Sequence, residues 1–202
     1  LHDIRPIIRS TRAGGRLCSI CVLLMDDGPL FLTDPFVNVD PTEEDVVEIA
    51  KDAVRFVQQS FDIEPVVALL SHSNFGTYED SSAIKMKRAA HRLRMELPEV
   101  QIDGEMHSLT ALNPEMRATV FDGANIKGRA NVLVMPNMDA ASIALGLLRS
   151  LTNARLIGPF LNGLEKPVHI LIPSVSGRGI LNLTALASAD IYQRDQSGQS
   201  GA

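Results

Sequence analysis

Apolar positions along this chain follow two different periods, and the changes between them mark out the elements. Leu17 to Met25 and Leu30 to Thr33 are apolar runs joined by Asp26-Asp27-Gly28-Pro29, a turn-forming cluster, so a β-hairpin is predicted. Asp40-Pro41-Thr42-Glu43 then offers an N-cap, a proline at the first helical position and a glutamate at the third. Val46, Val47, Ala50, Val54, Val57 and Phe61 follow at helical spacing, which predicts a helix. Val66 to Leu70 reads as a buried strand opening into SHSNFG, with a helix from Ser82 to Leu97 behind it. Val132 to Met135 leads through Pro136-Asn137-Met138-Asp139 into a helix from about Ala140 to Leu151. Leu156 to Ile157 and Val168 to Ile172 read as short strands, and Gly179 to Asp190 as the last helix. The polar end, QRDQSGQSGA, is expected to be disordered.

Short, continuously apolar strands alternating with helices predict an α/β fold with a mainly parallel sheet covered by helices on both faces. Such sheets bind ligands outside the carboxyl ends of their strands. Here those ends are expected to carry SHSNFG, PNMD, GPFLNG and PSVSGRG, which line one cleft if they converge.

Composition narrows the setting. The 202 residues can bury a substantial core, and no run of about 18 apolar residues suits a membrane span. With no amino-terminal export pattern, the cytoplasm is the expected compartment and no membrane partner is foreseen. The opening LHDIRPIIRSTRAGG starts inside an amphipathic pattern without an initiator methionine, so the chain is expected to be a piece of a longer one. With a net charge of −5, no general attraction to nucleic acid is expected, and a local basic patch is a separate matter. Cys18 and Cys21 form a CxxC on a strand, where residues three apart face opposite sides; buried reduced thiols are expected rather than a zinc site.

Two loops carry candidate chemistry. In SHSNFG, Ser71, Ser73, Asn74 and Gly76 have the composition of a backbone cradle for phosphate or carboxylate, although an ordinary βα loop uses the same residues. His72, Glu105 and His107 lack the spacing of a metal site, so none is expected. Lys85, Lys87, Arg88, Arg92 and Arg94 make one helix basic, which reads as a solvated outer face with anion contact only near the helix start. In PSVSGRG, Ser174 and Ser176 are candidate nucleophiles and Arg178 a candidate anion clamp. A serine nucleophile needs a base beside it, and His169 begins the preceding strand, roughly 10 Å or more away.

The stretches VVALLSHSNFG, QIDGEMHSLTAL, KGRANVLVMPNMDAASIALGLL, IGPFLNGLEKPVHIL and ILNLTALA together resemble the phosphate acetyl/butyryltransferase family. GEMH, LVMPN and KPVHIL bring the resemblance closest to the branch fused to the carboxyl end of bacterial NADP-dependent malic enzymes. It implies an isocitrate dehydrogenase-like two-domain fold with the cleft between the domains and a dimer as the usual unit. Residues 1–34 would be a remnant of an incomplete outer domain with a connecting β-ribbon. Residues 35–165 would be the inner domain, 166–191 the return to the outer domain and 192–202 the tail.

The family pattern PVNDLSRGCSVEDIVN aligns without a gap to PVHILIPSVSGRGILN, and the serine, arginine and aspartate of acyl transfer fall on Ile172, Pro173 and Gly179. None of the three can do the work of the residue it replaces. Leu109 stands at a second family aspartate and Ser142 at a usual asparagine. Arg5 matches an arginine near the family's phosphate or CoA, and Ser71, Ser73 and Gly76 fit its ligand-facing loop. The resemblance therefore implies a non-catalytic regulatory and oligomerising domain that senses acetyl-CoA or a related CoA ester, as a homodimer or larger homo-oligomer. NADP and a divalent metal are expected only in an amino-terminal part outside this chain. Two alternatives stay open, an active acyltransferase in which Ser174 or Ser176 substitutes, and a purely structural dimerisation module.

Overall fold

The computed structural model describes residues 16–164, 168–169 and 177–199. Its centre is a seven-stranded sheet in the order β4-β3-β5-β2-β1-β6-β7. The strands are β1 (Cys18–Met25), β2 (Gly28–Thr33), β3 (Val66–Leu70), β4 (Gln101–Met106), β5 (Val132–Val134), β6 (Arg155–Asn162) and β7 (Val168–His169). Pairs β2·β5, β5·β3 and β3·β4 are parallel. The β1–β2 hairpin extends this half through antiparallel pairs β1·β6 and β6·β7. The sheet is thus mixed, and its parallel half carries the βα loops.

The continuous apolar runs are explained by helices on both faces of the sheet. Ile20, Val22, Phe31, Val67, Leu69, Val132 and Val134 pack with α1 (Glu43–Phe61) and α2 (Ser81–Glu96). Their strand neighbours Cys21, Leu23, Leu30, Leu32, Ala68, Leu70 and Leu133 face the other way, against Ala141 and Leu145 of α5 (Met138–Leu151). With both faces buried, the period of two disappears from the sequence although it governs the packing. Two short helices, α3 (Ser108–Leu112) and α4 (Pro114–Val120), follow β4.

Several boundaries differ from expectation for local reasons. α1 starts at Glu43 rather than at Pro41, because Thr42 and Asp45 form a reciprocal capping box: Asp45 N donates to Thr42 Oγ1 (3.3 Å) and Thr42 N to the Asp45 carboxylate (3.0 Å). Gly158, Pro159 and Phe160, expected beyond a strand end, lie inside β6, whose partner β1 absorbs the irregularity through a register shift between Ile20 and Val22. Residues 192–199, expected to be disordered, continue α6 (Gly177–Gln199); no proline interrupts that stretch, and a helix once started adds residues at little cost.

Candidate functional site at the carboxyl edge of the parallel strands

β2, β3, β4 and β5 deliver their carboxyl ends to one edge of the sheet. The loop after β3 is shaped by residues at the end of β4. Phe75 N donates to Glu105 O (2.8 Å) and Ser71 N to Met106 O (2.9 Å), tying the loop backbone to the neighbouring strand. His107 N donates to Asn74 Oδ1 (2.8 Å), and the His107 ring nitrogen Nε2 lies 2.7 Å from His72 O. The left-handed backbone at Phe75 (φ 48°) and Gly76 (φ 90°) reverses the chain.

At the centre of the loop is a carboxylate belonging to the protein itself. Glu105 is 1% exposed, and its Oε1 accepts from Ser73 Oγ (2.8 Å) and Gly76 N (2.6 Å). Ser73 Oγ in turn accepts from Tyr78 N (3.1 Å). The cradle foreseen for a phosphate or carboxylate is therefore filled from inside. The second Glu105 oxygen, Oε2, is buried with no hydrogen-bond partner among the described residues. Strand β4 reaches this position through Gly104 (φ 143°), where an added Cβ would fall 2.6 Å from Leu69 O.

The start of α2 is closed in the same way. Asp80 caps it, accepting from Ser82 N (2.9 Å) and Ala83 N (3.2 Å), and lies 2.7 Å from His72 Nε2. Desolvation pushes the Asp80 carboxyl up, but the amides of Ala83 and Ser82 and the His72 ring outweigh it and hold it below its ordinary range. An external anion would have to displace this carboxylate, so anion contact at the helix start, as the sequence suggested, is blocked.

The basic helix divides into spent and unspent cations. Lys85, expected on a solvated face, is turned inward: Nζ donates to Pro41 O and Pro136 O (each 2.9 Å) and contacts Asp40 (3.2 Å). It clamps the entrance of α1 to the end of β5. Arg94 pairs with buried Asp103 (2.8 Å), and Arg92 with Glu96 (2.6 Å). The side chains of Lys87, Arg88 and His91 are exposed and enter no hydrogen bond or ion pair among the described residues.

The remaining candidates are spread out. Arg178 is exposed in the first turn of α6, next to half-buried Gly179, while Arg5, Ile172, Pro173, Ser174 and Ser176 lie outside the described residues. Leu109 is exposed, and Ser142 Oγ donates to Pro35 O (2.8 Å). Cys18 and Cys21 are buried free thiols; burial pushes Cys21 up to about 12 and Cys18 well above its ordinary value. His72, Glu105 and His107 have separate partners, and no group of three metal-ligating side chains forms among the described residues.

Comparison with known proteins places this architecture. The family described as phosphate acetyl/butaryl transferase matches residues 1–188. The chain belongs to that family. An NADP-dependent malic enzyme of Salmonella typhimurium is 48% identical over 166 residues, 82% of this chain and 22% of the enzyme. A phosphate acetyltransferase of Clostridium acetobutylicum is 31% identical over 80% of this chain and 48% of its own length. A phosphotransacetylase structure from Streptococcus pyogenes superposes with a TM-score of 0.87 at 27% identity, covering 94% of this chain and 59% of that one. The chain thus spans about a quarter or less of the malic enzymes it matches, and is homologous to their phosphotransacetylase-like domain.

Three structural carboxylate or guanidinium centres of this chain were missed by sequence reasoning. The signal for the role of Glu105 is a Gly-Glu pair ending a strand beside a loop rich in donors. Asp34, 6% exposed, accepts from Ser19 N (2.9 Å), Val37 N (3.2 Å) and Asn38 N (3.1 Å), knotting the start of β1 to the end of β2. Arg117, 3% exposed, donates to the carbonyls of Thr110 (3.1 Å), Ile126 (3.3 Å) and Gly128 (2.6 Å). Burial lowers the pKa of Arg117, against an opposing push from Asp103.

Proposed function

We propose that this chain is a regulatory domain of the phosphotransacetylase type that binds acetyl-CoA or a related CoA ester without transferring its acyl group. In this reading it acts in the cytoplasm, as a homodimer or larger homo-oligomer, on a malic enzyme whose NADP and divalent metal lie elsewhere. The observation that carries it is the sequence at the family's acyl-transfer positions, where Ile172, Pro173 and Gly179 replace serine, arginine and aspartate. An isoleucine side chain forms no hydrogen bond, a proline carries no charge to clamp an anion, and a glycine has no group to hold a proton.

Two further features support the reading. Identity reaches 48% to a malic enzyme against 31% to a phosphate acetyltransferase in the pairs above. Leu109 also stands where the catalytic family carries a second aspartate, and its side chain has no group to hold a proton. Regulation then requires the ester to bind two arrangements of the assembly unequally, since equal binding shifts nothing.

Calorimetric titration of acetyl-CoA, with CoA as control, tests the reading together with an assay for CoA release from acetyl-CoA and phosphate. Binding without turnover is the expected result. Turnover would establish the acyltransferase alternative, and absence of binding by a folded protein the structural module.

A further inference from the structure

The outer side of α2 carries a groove of about 650 Å³ that the family reading does not use. That volume is in the range of sites for small organic ligands. Its lining combines three kinds of group: the cationic side chains of Lys87 and Arg88 with His91 beside them, the carboxylates of Glu43 and Glu79, and the ring of Tyr78, 59% exposed. Arg92 and Arg94 also line it, but are engaged by Glu96 and Asp103. Lys87 and Arg88 are adjacent on α2 with His91 about one turn beyond, and none of the three has a partner of its own among the described residues.

The mixed charge selects the ligand. Bare phosphate or pyrophosphate would gain from Lys87 and Arg88 and lose to Glu43 and Glu79. A nucleotide has a use for all three kinds of group: phosphoryl oxygens for the cations, ribose hydroxyls that donate to carboxylates, and a base that stacks on an exposed aromatic ring. We propose that the α2 groove binds a phosphorylated nucleoside, with its phosphates on Lys87, Arg88 and His91, its ribose hydroxyls toward Glu43 or Glu79 and its base on Tyr78. The inference is independent of the effector reading above, because it rests on this groove alone.

The groove also touches the loop after β3. Lys87 Nζ lies 3.1 Å from where a Cβ on Gly76 would sit, and Gly76 N is one of the two donors to Glu105. Tyr78 N is bonded to Ser73 Oγ, the other donor's oxygen. A ligand that draws on Lys87 and Tyr78 would therefore press on the same loop that Glu105 holds.

The test is calorimetry with ADP, acetyl-CoA and inorganic pyrophosphate, on the wild-type protein and on a Lys87→Gln, Arg88→Gln double variant. Both side chains are exposed, so the variant should melt with the wild type. ADP should bind, more weakly as salt rises, and the double variant should lose about tenfold or more in affinity. Equal loss for ADP and acetyl-CoA supports a groove open to any phosphorylated nucleoside, and binding of acetyl-CoA alone, lost in the variant, identifies a CoA ester as the source. Failure of all three probes to bind would overturn the inference, as would affinities unchanged in the variant. Pyrophosphate binding as tightly as ADP would overturn the assignment of ribose and base. Acetyl-CoA binding that the double variant leaves intact, with no ADP binding to the wild type, would sink the groove while the regulatory reading stands.

Discussion

The loop after β3 and the outer groove of α2 adjoin at Tyr78 and Glu79, and they treat polar groups in opposite ways. In the loop, Ser73, Gly76, Asn74 and the cap residue Asp80 are all bonded to other parts of the chain. In the groove, Lys87, Arg88 and His91 are left to solvent. By composition the loop resembles an anion site and the groove an ordinary solvated face. Accounting for where each donor goes reverses that ranking, because a buried donor already paired with Glu105 has nothing to offer a ligand, and an uncommitted cation has.

The contrast can be broken most forcefully at Gly104. A Gly104→Ala change puts a methyl 2.6 Å from Leu69 O at a φ of 143°, and is expected to cost about 4 kcal/mol or to prevent folding, as read by urea denaturation. Glu105→Ala leaves Ser73 Oγ and the Gly76 amide without their buried acceptor, for an expected loss of about 3 kcal/mol. If Glu105→Ala proved neutral, the loop would not depend on its internal carboxylate and an external anion could take that place. Lys85→Ala unfastens two carbonyls from one ammonium and should cost about 1 to 2 kcal/mol.

A pH titration sharpens the same comparison at the helix start. Asp80 has a folded-state pKa below its unfolded one, so its contribution is present above the ordinary carboxylate range and is lost as pH falls through the depressed value. Asp80→Asn should remove that part of the acid dependence of the melting temperature while largely preserving the cap. At the bottom of the scale, Lys87→Gln should change stability by no more than about 0.5 kcal/mol, as expected of a solvated side chain without partners among the described residues.

Much of the fold was legible because burial leaves a strong mark on sequence. β3 and β5 are apolar throughout, β1 and β2 nearly so, and α1 repeats its buried residues at Val46, Ala50, Val54 and Val57. β4 was not legible as a strand. Its sequence QIDGEM holds Asp103, Gly104 and Glu105, which look like loop residues until their partners are known: Arg94 and Asn125 N for Asp103, Ser73 and Gly76 for Glu105. Those partners lie on α2 and on two loops, so no local window contains the information. The same holds for Lys85, whose spacing on α2 gives no hint of the two carbonyls that it reaches. The candidate loop was correctly located after β3, but composition could not reveal whether its donors point outward or inward.

The order of strands in the sheet sets a schedule for biosynthesis. β1 sits between β2, its immediate neighbour in the chain, and β6, which the ribosome makes only after α1, β3, α2, β4, β5 and α5. Throughout that interval the growing polypeptide carries CSICVLLM with one side of its backbone unpaired, a surface prone to join other strands. The Asp34 knot, drawn wholly from residues 19–38, is complete long before β6 emerges and can hold the hairpin in shape while it waits. Chains stalled before β6 should accordingly be the ones that aggregate or recruit chaperones.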